Sequence, residues 1–244
     1  MHSAAAWGAP SLFERPHHQR IAQVLNALNG PLLRERECLF GGGTAIALRY
    51  GEYRESVDVD FLVSNADHYR ELRNVLTSAT GLAAIVRAGS LPLVQAGQLT
   101  ADQYGIRTRV VVYGEPVKIE IVREGRIALQ APGPPDEICN IATLTVLDMA
   151  TSKLLANSDR WADDSVFSRD LIDLAMMKPS LPLLRKAVAK AEGAYGASVL
   201  RDLQCAIERM QARTGWLERC MQVMAMREPP AAVWQRVRAL RRCY

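Results

Sequence analysis

Residues 42–63 read GGTAIALRYGEYRESVDVDFLV and carry the strongest structural signal in the chain. Over residues 57–61, apolar and acidic side chains alternate strictly, which predicts a strand at 57–63 with one apolar and one acidic face. Upstream, the glycines predict a turn between a short strand at 37–41 and a helix at 44–50. The sequence therefore predicts a strand, a glycine turn and a helix, followed by an acidic strand.

The segments on either side of this stretch complete a mixed fold. Upstream of residue 131, residue patterns predict helices at 16–29 and 66–78, a strand at 82–87 and a β-hairpin at 107–122. Downstream, APGPPDE at 131–137 predicts a linker, because clustered Pro and Gly interrupt regular structure. The rest of the chain predicts helices at 140–157, 166–177, 182–193, 196–213, 215–226 and 231–242. We therefore predict an α+β fold with a sheet-containing domain at 1–135 and an α-helical C-terminal domain at 136–244.

The composition is that of an ordinary globular protein, with 49% hydrophobic and 23% charged residues in 244. No stretch approaches the ~18 consecutive apolar residues of a membrane helix, and the N-terminus has no basic-then-apolar signal pattern. The five cysteines form no C-x-x-C pair and are predicted to be reduced thiols. These features predict a cytoplasmic protein without membrane partners.

Positive charge is concentrated at the C-terminal end. Residues 181–244 hold twelve Lys and Arg against five Asp and Glu, whereas residues 1–180 carry a small net negative charge. A basic segment is suited to a polyanion such as RNA. A solvated, arginine-rich helix face is the alternative interpretation.

The glycine turn is a candidate phosphate site. Gly42, Gly43 and Thr44 begin a predicted helix, where free N–H groups and the helix dipole attract anions. A purely steric role for the glycines is the alternative. The common glycine motifs are excluded, because Ile46 stands where a Rossmann fingerprint needs its third glycine and no Gly-Lys-Ser/Thr follows.

Two carboxylates on the acidic strand are candidate metal ligands. Asp58 and Asp60 are two residues apart, so they share a face and lie ~7 Å apart along the strand. Mg²⁺ is commonly bound by one or two carboxylates together with waters and substrate phosphates. An EF-hand is excluded by Leu62, Val63 and Tyr69 at its ligand, glycine and glutamate positions. The alternative is the exposed face of an edge strand.

A third carboxylate beside these two would complete a two-metal site for phosphoryl displacement. Glu120 is preferred, because it lies on a predicted strand between Ile119 and Ile121, as each aspartate lies between apolar neighbours. Its position alone does not distinguish it from Glu115 or Glu124.

Four segments together resemble the polymerase-beta-like nucleotidyltransferases, and among them the abortive-infection toxins of the AbiEii/AbiGii type. Residues 42–48 and 54–61 resemble the G-G-[ST] … R-x-S-x-D-x-D-F signature. Residues 153–160 resemble the K-L-x-A-x-x-x-R helix, and residues 169–174 resemble the [KR]-D-L-x-D-L helix. The segments occur in the family's order, whereas residues 181–244 match no motif.

The resemblance implies a polymerase-beta-like domain, with a small mixed sheet flanked by helices, and Mg²⁺-dependent transfer of a nucleoside monophosphate from an NTP to a hydroxyl. Implied partners are the NTP, tRNA or another RNA, and a cognate antitoxin; two Mg²⁺ ions are implied. Asp58, Asp60 and Glu120 would hold the metals, although the family more often has Asp at the third position. The implied catalytic residues are Asp58, Asp60, Glu120, Lys153 and Asp170, and the implied nucleotide-binding residues are Gly42, Gly43, Thr44, Ser56 and Arg160.

Several alternatives are open at this point. Lys153 can be a solvated helix residue, Arg54 can pair with Glu52 or Asp60, and Asp173 can pair with Arg160 or Arg169. The protein can also be a non-catalytic module that binds nucleotide or RNA and acts through a partner. A third hypothesis is transfer to a protein or a small molecule.

Overall fold

The computed structural model describes residues 12–244. Residues 1–11, which include most of the segment on which the prediction of no signal sequence rests, lie outside the described residues. The described chain contains a mixed six-stranded sheet, a separate two-stranded hairpin and helices on both sides of the linker segment.

The sheet has the order β1-β2-β6-β5-β3, with β4 also paired to β5. Strands β2 and β6 are parallel, and the other pairs are antiparallel. The strands of the sheet are β1 (Leu39–Phe40), β2 (Asp58–Val63), β3 (Val94–Gln95), β4 (Thr100–Ala101), β5 (Gly105–Val112) and β6 (Glu115–Arg123).

The predicted acidic strand and hairpin are both present. In β2 the apolar residues Val59, Phe61 and Val63 are buried in the core, and the side chains between them lie on the opposite, partly exposed face. Strands β5 and β6 are joined by Tyr113 and Gly114, whose φ angles of 52° and 82° suit a tight two-residue hairpin turn. Alternation along β2 therefore decides which side chains point into the core and which lie on the opposite, acidic face of the strand.

Helices cover the sheet and form the C-terminal half. Among the described residues they are α1 (Pro16–Ala27), α2 (Gly30–Glu35), α3 (Gly42–Arg49), α4 (Ala66–Leu76), α5 (Val146–Arg160), α6 (Arg169–Met176), α7 (Leu181–Tyr195), α8 (Ser198–Ala212), α9 (Trp216–Val223) and α10 (Pro230–Ala239). Single 3₁₀ segments lie at Asp164–Val166 and Leu240–Cys243. The six helices predicted after the linker correspond to α5–α10.

Three local predictions were wrong. The strand predicted at 82–87 is a 3₁₀ helix, Gly81–Ile85, which buries Leu82 and Ile85, three residues apart, on one side. Helix α2 was not predicted: the helix predicted at 16–29 ends at Ala27, and Asn29 caps a second helix directly after it by accepting the Leu32 N–H. The helix predicted at 140–157 begins only at Val146, since the preceding residues form the hairpin β7 (Glu137–Ile138) and β8 (Ile141–Ala142).

The sheet and the C-terminal helices share one continuous hydrophobic core. The backbone N–H of Leu144, just before α5, donates to the carbonyl of Phe40 in β1 (3.0 Å), and the N–H of Glu55 donates to the carbonyl of Met224 (2.9 Å). A separate helical domain is therefore not evident in the packing, and the boundary between 1–135 and 136–244 stays a prediction. Within residues 12–244, no helix combines the length and the apolar character needed to cross a membrane.

Candidate active site

The acidic face of β2 carries the two predicted carboxylates. Asp58 and Asp60 are partly exposed and share the face opposite the buried Val59 and Phe61. Burial, together with the charges of Asp58 and Glu120, raises the pKa of Asp60 to about 6. A cation bound at Asp58 and Asp60 would relieve the repulsion between their carboxylates.

The glycine turn packs directly against Asp60. The Gly41 N–H donates to the Asp60 carbonyl (2.8 Å), and Gly42 begins α3 with a φ of 65°. A Cβ atom at Gly42 would lie 2.9 Å from the Cβ of Asp60, and a Cβ at Gly43 would lie 3.2 Å from Cζ of Arg54. Glycine is thus required here by close approach and, at Gly42, by backbone conformation.

The two hydroxyls assigned to phosphate binding contact each other. Thr44, in the first turn of α3, is buried, and its Oγ1 shares a hydrogen bond of 2.7 Å with Oγ of Ser56. This bond connects the glycine turn to the loop that leads into β2. The structure therefore brings Gly42, Gly43, Thr44 and Ser56 together in one region, and their contact with a triphosphate stays a prediction.

Glu120 lies beside Asp60, but its carboxylate has other partners. The parallel register of β2 and β6 places Glu120 opposite Asp60 and Lys118 opposite Asp58. The Glu120 oxygens accept from Nε of Arg107 and Nζ of Lys118, each at 2.6 Å. Burial opposes its ionisation, but the bonds and charges of Lys118 and Arg107 outweigh burial and lower its pKa.

This arrangement fits a Mg²⁺ ion bound by Asp58 and Asp60 better than one bound by Asp58, Asp60 and Glu120 together. Among residues 12–244, no group of three His, Cys, Asp or Glu side chains is close enough to hold a metal ion. Asp58 and Asp60 can still supply the one or two carboxylates that Mg²⁺ usually takes, with phosphates and waters as the other ligands. Glu120 as the third ligand, and the second ion, stay predictions.

A buried chain of charges connects the loop before β2 to the C-terminal helices. Asp173 of α6 accepts from Arg54 through Nε (2.6 Å) and Nη2 (3.0 Å), from the Tyr53 hydroxyl (2.5 Å), and from Nζ of Lys153 (2.7 Å). Burial opposes the charge on Asp173, but Arg54 and Lys153 outweigh it and hold its pKa well below the usual range. The alternative partners proposed for Arg54 and Asp173 were wrong: the two residues pair with each other.

Lys153 and Asp170 continue this chain of charges. Lys153 is buried on α5, and its Nζ also donates to Asp170 (3.0 Å), which in turn accepts from Arg160 (2.6 Å). Burial disfavours the ammonium, but Asp173 and Asp170 outweigh burial and raise its pKa. Lys153 is therefore a charged, fixed side chain, and the interpretation as a solvated helix residue was wrong.

Sequence reasoning missed His18, which is fully buried on α1 at 0% exposure. Its Nε2 accepts the Ser56 N–H (3.2 Å), so the neutral ring carries its proton on Nδ1 and donates to Glu52 (2.7 Å). Burial lowers the pKa of His18, which keeps the ring neutral. The ring thus fixes the backbone of Ser56, and the His17-His18 pair at the start of a predicted helix gave no signal of this contact.

Lys118 and Arg107 were also missed as parts of the site. Both lie on the hairpin face that carries Glu120, and Lys118 was detectable because it precedes Glu120 by two residues on the same strand. Arg107 could be found only with the pairing register of β5 and β6.

The family comparison gives a direct match. The model of the AbiEii nucleotidyl transferase toxin family, described as a type IV toxin–antitoxin system, matches residues 24–239. The chain belongs to this family. The resemblance inferred from four short segments is thereby confirmed over most of the chain. Membership in the AbiEii family supports a nucleotidyltransferase that is the toxin of a type IV system, and it implies an antitoxin partner.

Two solved structures from Helicobacter pylori are similar to the chain over most of its length. One is described as a candidate nucleotidyltransferase, with 18% identity, a TM-score of 0.41, and coverage of 92% of this chain and 96% of that chain. The other is JHP933, with 16% identity, a TM-score of 0.42, and coverage of 93% and 95%. No curated protein matches the chain significantly.

His18 lies outside the segment that the AbiEii family model covers.

Proposed function

We propose that this AbiEii-family protein transfers a nucleoside monophosphate from an NTP to a hydroxyl of RNA, with tRNA 3′ ends as the first acceptor to test. The new bond joins the acceptor oxygen to the α-phosphorus, and the bond to pyrophosphate breaks. The observation that carries this proposal is the position of Asp58 and Asp60 on one strand face beside the glycine turn.

Each group would act mainly by positioning and by neutralising charge. Mg²⁺ bound at Asp58 and Asp60 would supply charge neutralisation at the reacting phosphate and lower the pKa of the attacking hydroxyl. Free N–H groups at the start of α3 would bind the triphosphate, with Ser56 beside them. Lys153, held by its two carboxylate partners, would supply a fixed positive charge that favours the ionised form of Asp60.

RNA as the acceptor is supported by the charge of the C-terminal helices. Residues 181–244 have a net excess of seven positive charges, and phosphate neutralisation is the main source of affinity for nucleic acid. An antitoxin and a cytoplasmic location accompany the proposal as predictions.

One observation favours a second candidate, a non-catalytic module that binds nucleotide or RNA. Glu120 is engaged by Lys118 and Arg107, so the third carboxylate is not free to bind metal in this arrangement. Calorimetry distinguishes the two candidates, because tight binding of Mg²⁺–NTP without turnover would favour the binding module.

The proposal is tested by incubating the protein with Mg²⁺, total tRNA and each NTP labelled at the α-phosphate. We expect label on RNA from at least one NTP, and none when the label is on the γ-phosphate. Asp60→Asn should abolish transfer, whereas Asp67→Asn, a matched change at an exposed carboxylate on α4, should not. Label on a protein or small molecule would redirect the acceptor, and no transfer with any NTP would contradict the proposal.

A further inference from the structure

A cleft of about 280 Å³ opens beside Asp58, between the loop before β2 and the C-terminal helices. One wall is formed by residues 54–58, and the other by residues 165–169 together with the end of α9. Because Asp58 is itself part of the wall, a ligand held at the two aspartates would have this cleft as its neighbour. Ser56 and Asp58 already have roles at the site, whereas the apolar part of the lining has none so far.

Five of the eleven residues that line the cleft are apolar, and the other six are polar or charged. Val57 is 48% exposed and Val223 is 55% exposed, and both line the cleft together with Phe167 and the buried Met224. Half-exposed aliphatic side chains that converge beside a carboxylate leave apolar surface available to a ligand. Such convergence is typical of a ligand surface.

Phe167 rests on a supporting stack of side chains. Its ring is nearly parallel to that of Trp216, at 17° and 6.1 Å between centroids, and the Arg213 guanidinium lies 3.8 Å from the Trp216 ring centroid. The Trp216 indole N–H donates to Oγ of Ser168 (3.0 Å), which fixes the ring relative to the segment that carries Phe167. The aromatic side chain is therefore held in place before any ligand binds.

The backbone at Phe167 is strained as well as fixed. Phe167 and Ser168 are consecutive residues in the left-handed region, with φ of 50° and 49°, a conformation that is unfavourable for side chains other than glycine. The preceding turn is secured through Asp164, which accepts from Arg209 (3.1 Å) and Arg213 (2.6 Å). Strain that is retained by such ties beside a candidate catalytic carboxylate is typical of ligand clamps.

We propose that this cleft is a nucleobase subsite in which the face of a base packs against Phe167, with Val57 and Val223 as further apolar contacts. The inference rests on the proposed function, because the ligand is a nucleotide held at Asp58 and Asp60. The face of a planar base suits the aromatic and aliphatic part of the lining, and base–aromatic stacking tolerates any of the four bases. The base belongs either to the incoming NTP or to the terminal nucleotide of the acceptor RNA.

Calorimetry with two probes distinguishes the base from the phosphates. Mg²⁺–NTP carries both groups, whereas Mg²⁺–tripolyphosphate carries only the phosphates. If the base of the NTP occupies the cleft, Phe167→Leu should weaken NTP binding about tenfold and leave tripolyphosphate binding unchanged, and Phe167→Trp should restore NTP affinity. Tyr104→Leu, at an exposed ring just before β5 that does not line the cleft, is the matched control and should change neither affinity.

The acceptor is tested in a second arm by the KM for tRNA. If the acceptor base occupies the cleft, Phe167→Leu should raise this KM about tenfold at unchanged NTP affinity, and Phe167→Trp should restore it. If the wild-type protein binds NTP, and Phe167→Leu changes neither the NTP affinity nor the KM for tRNA, the subsite alone is overturned. Failure of the wild-type protein to bind either probe overturns the proposed function and the subsite together.

Discussion

The buried carboxylate of Asp173 gives the strongest stability prediction. Asp173→Asn keeps the size of the side chain but removes its charge, while the Arg54 and Lys153 side chains stay less than a tenth exposed. Lys153 keeps Asp170 as a partner. Arg54 has Asp173 as its single carboxylate partner within residues 12–244, so its charge is left buried and uncompensated.

The expected cost follows from this burial. Removing one partner of a buried ion pair typically costs about 3–5 kcal/mol, because the remaining charge loses its compensation. For a chain of this length each kcal/mol lowers Tm by roughly 2–4 °C, so a decrease of roughly 6–20 °C is expected.

A surface pair of similar geometry provides the control. Asp67 and Arg70 are 2.7 Å apart, close to the 2.6 Å between Asp173 and Arg54, but the Asp67 side chain is 74% exposed and that of Asp173 is 0% exposed. Asp67→Asn should therefore cost less than about 0.5 kcal/mol. The difference between the two variants reports burial rather than distance.

Urea unfolding followed by circular dichroism measures both variants. The depressed pKa of Asp173 means that its stabilisation is complete above the unfolded value near 3.9 and is lost as pH falls through its lower folded value. The gap between wild type and Asp173→Asn should therefore be constant from pH 7 to 5 and narrow only below about pH 4. A cost below about 1 kcal/mol at pH 7, with an unchanged m-value, would refute the reasoning.

Three further predictions concern the site itself. The pKa of Asp60 is raised to about 6, so its ionisation lowers the stability of the folded protein as pH rises from about 4 to 6. Without metal, the free energy of unfolding of Asp60→Asn should therefore exceed that of the wild type by about 1–3 kcal/mol at pH 7.5. Adding Mg²⁺ should raise the Tm of the wild type more at pH 7.5 than at pH 5. If Mg²⁺ raises the Tm of Asp60→Asn as much as that of the wild type, this expectation is contradicted. Gly42→Ala should destabilise more than Gly114→Ala, since both have positive φ but only Gly42 would bring a Cβ against Asp60; equal unfolding free energies would disprove the contact. His18→Phe should cost about 1–3 kcal/mol in chemical denaturation by leaving the Ser56 N–H without its acceptor, and an unchanged midpoint speaks against that bond.

Local patterns in the sequence were sufficient for the elements that surround the site. Alternation at 57–63 and the turn at Tyr113–Gly114 predicted β2 and the hairpin, because each depends on residues close in the chain. The strand predicted at 82–87 failed because a short apolar run suits a 3₁₀ turn equally well. Hairpin β7–β8 was hidden, because two-residue strands have no periodicity to detect.

Long-range pairing could not be predicted from the sequence. Arg54 pairs with Asp173, 119 residues away, and the sequence offered nearer carboxylates with equal chemical merit. The engagement of Glu120 by Arg107 likewise depends on the register between β5 and β6. Residue types in the motifs indicated which groups assemble, and packing decided which of them bond to each other.

The central claim is that Asp58 and Asp60 hold a divalent metal against a triphosphate seated on the glycine turn. Anomalous diffraction from crystals soaked with Mn²⁺ and a non-hydrolysable NTP tests it most directly. The account predicts a Mn²⁺ peak bound by both aspartates, with phosphate oxygens at the N-terminus of α3. A bound nucleotide whose metal and phosphates lie away from these aspartates would contradict it.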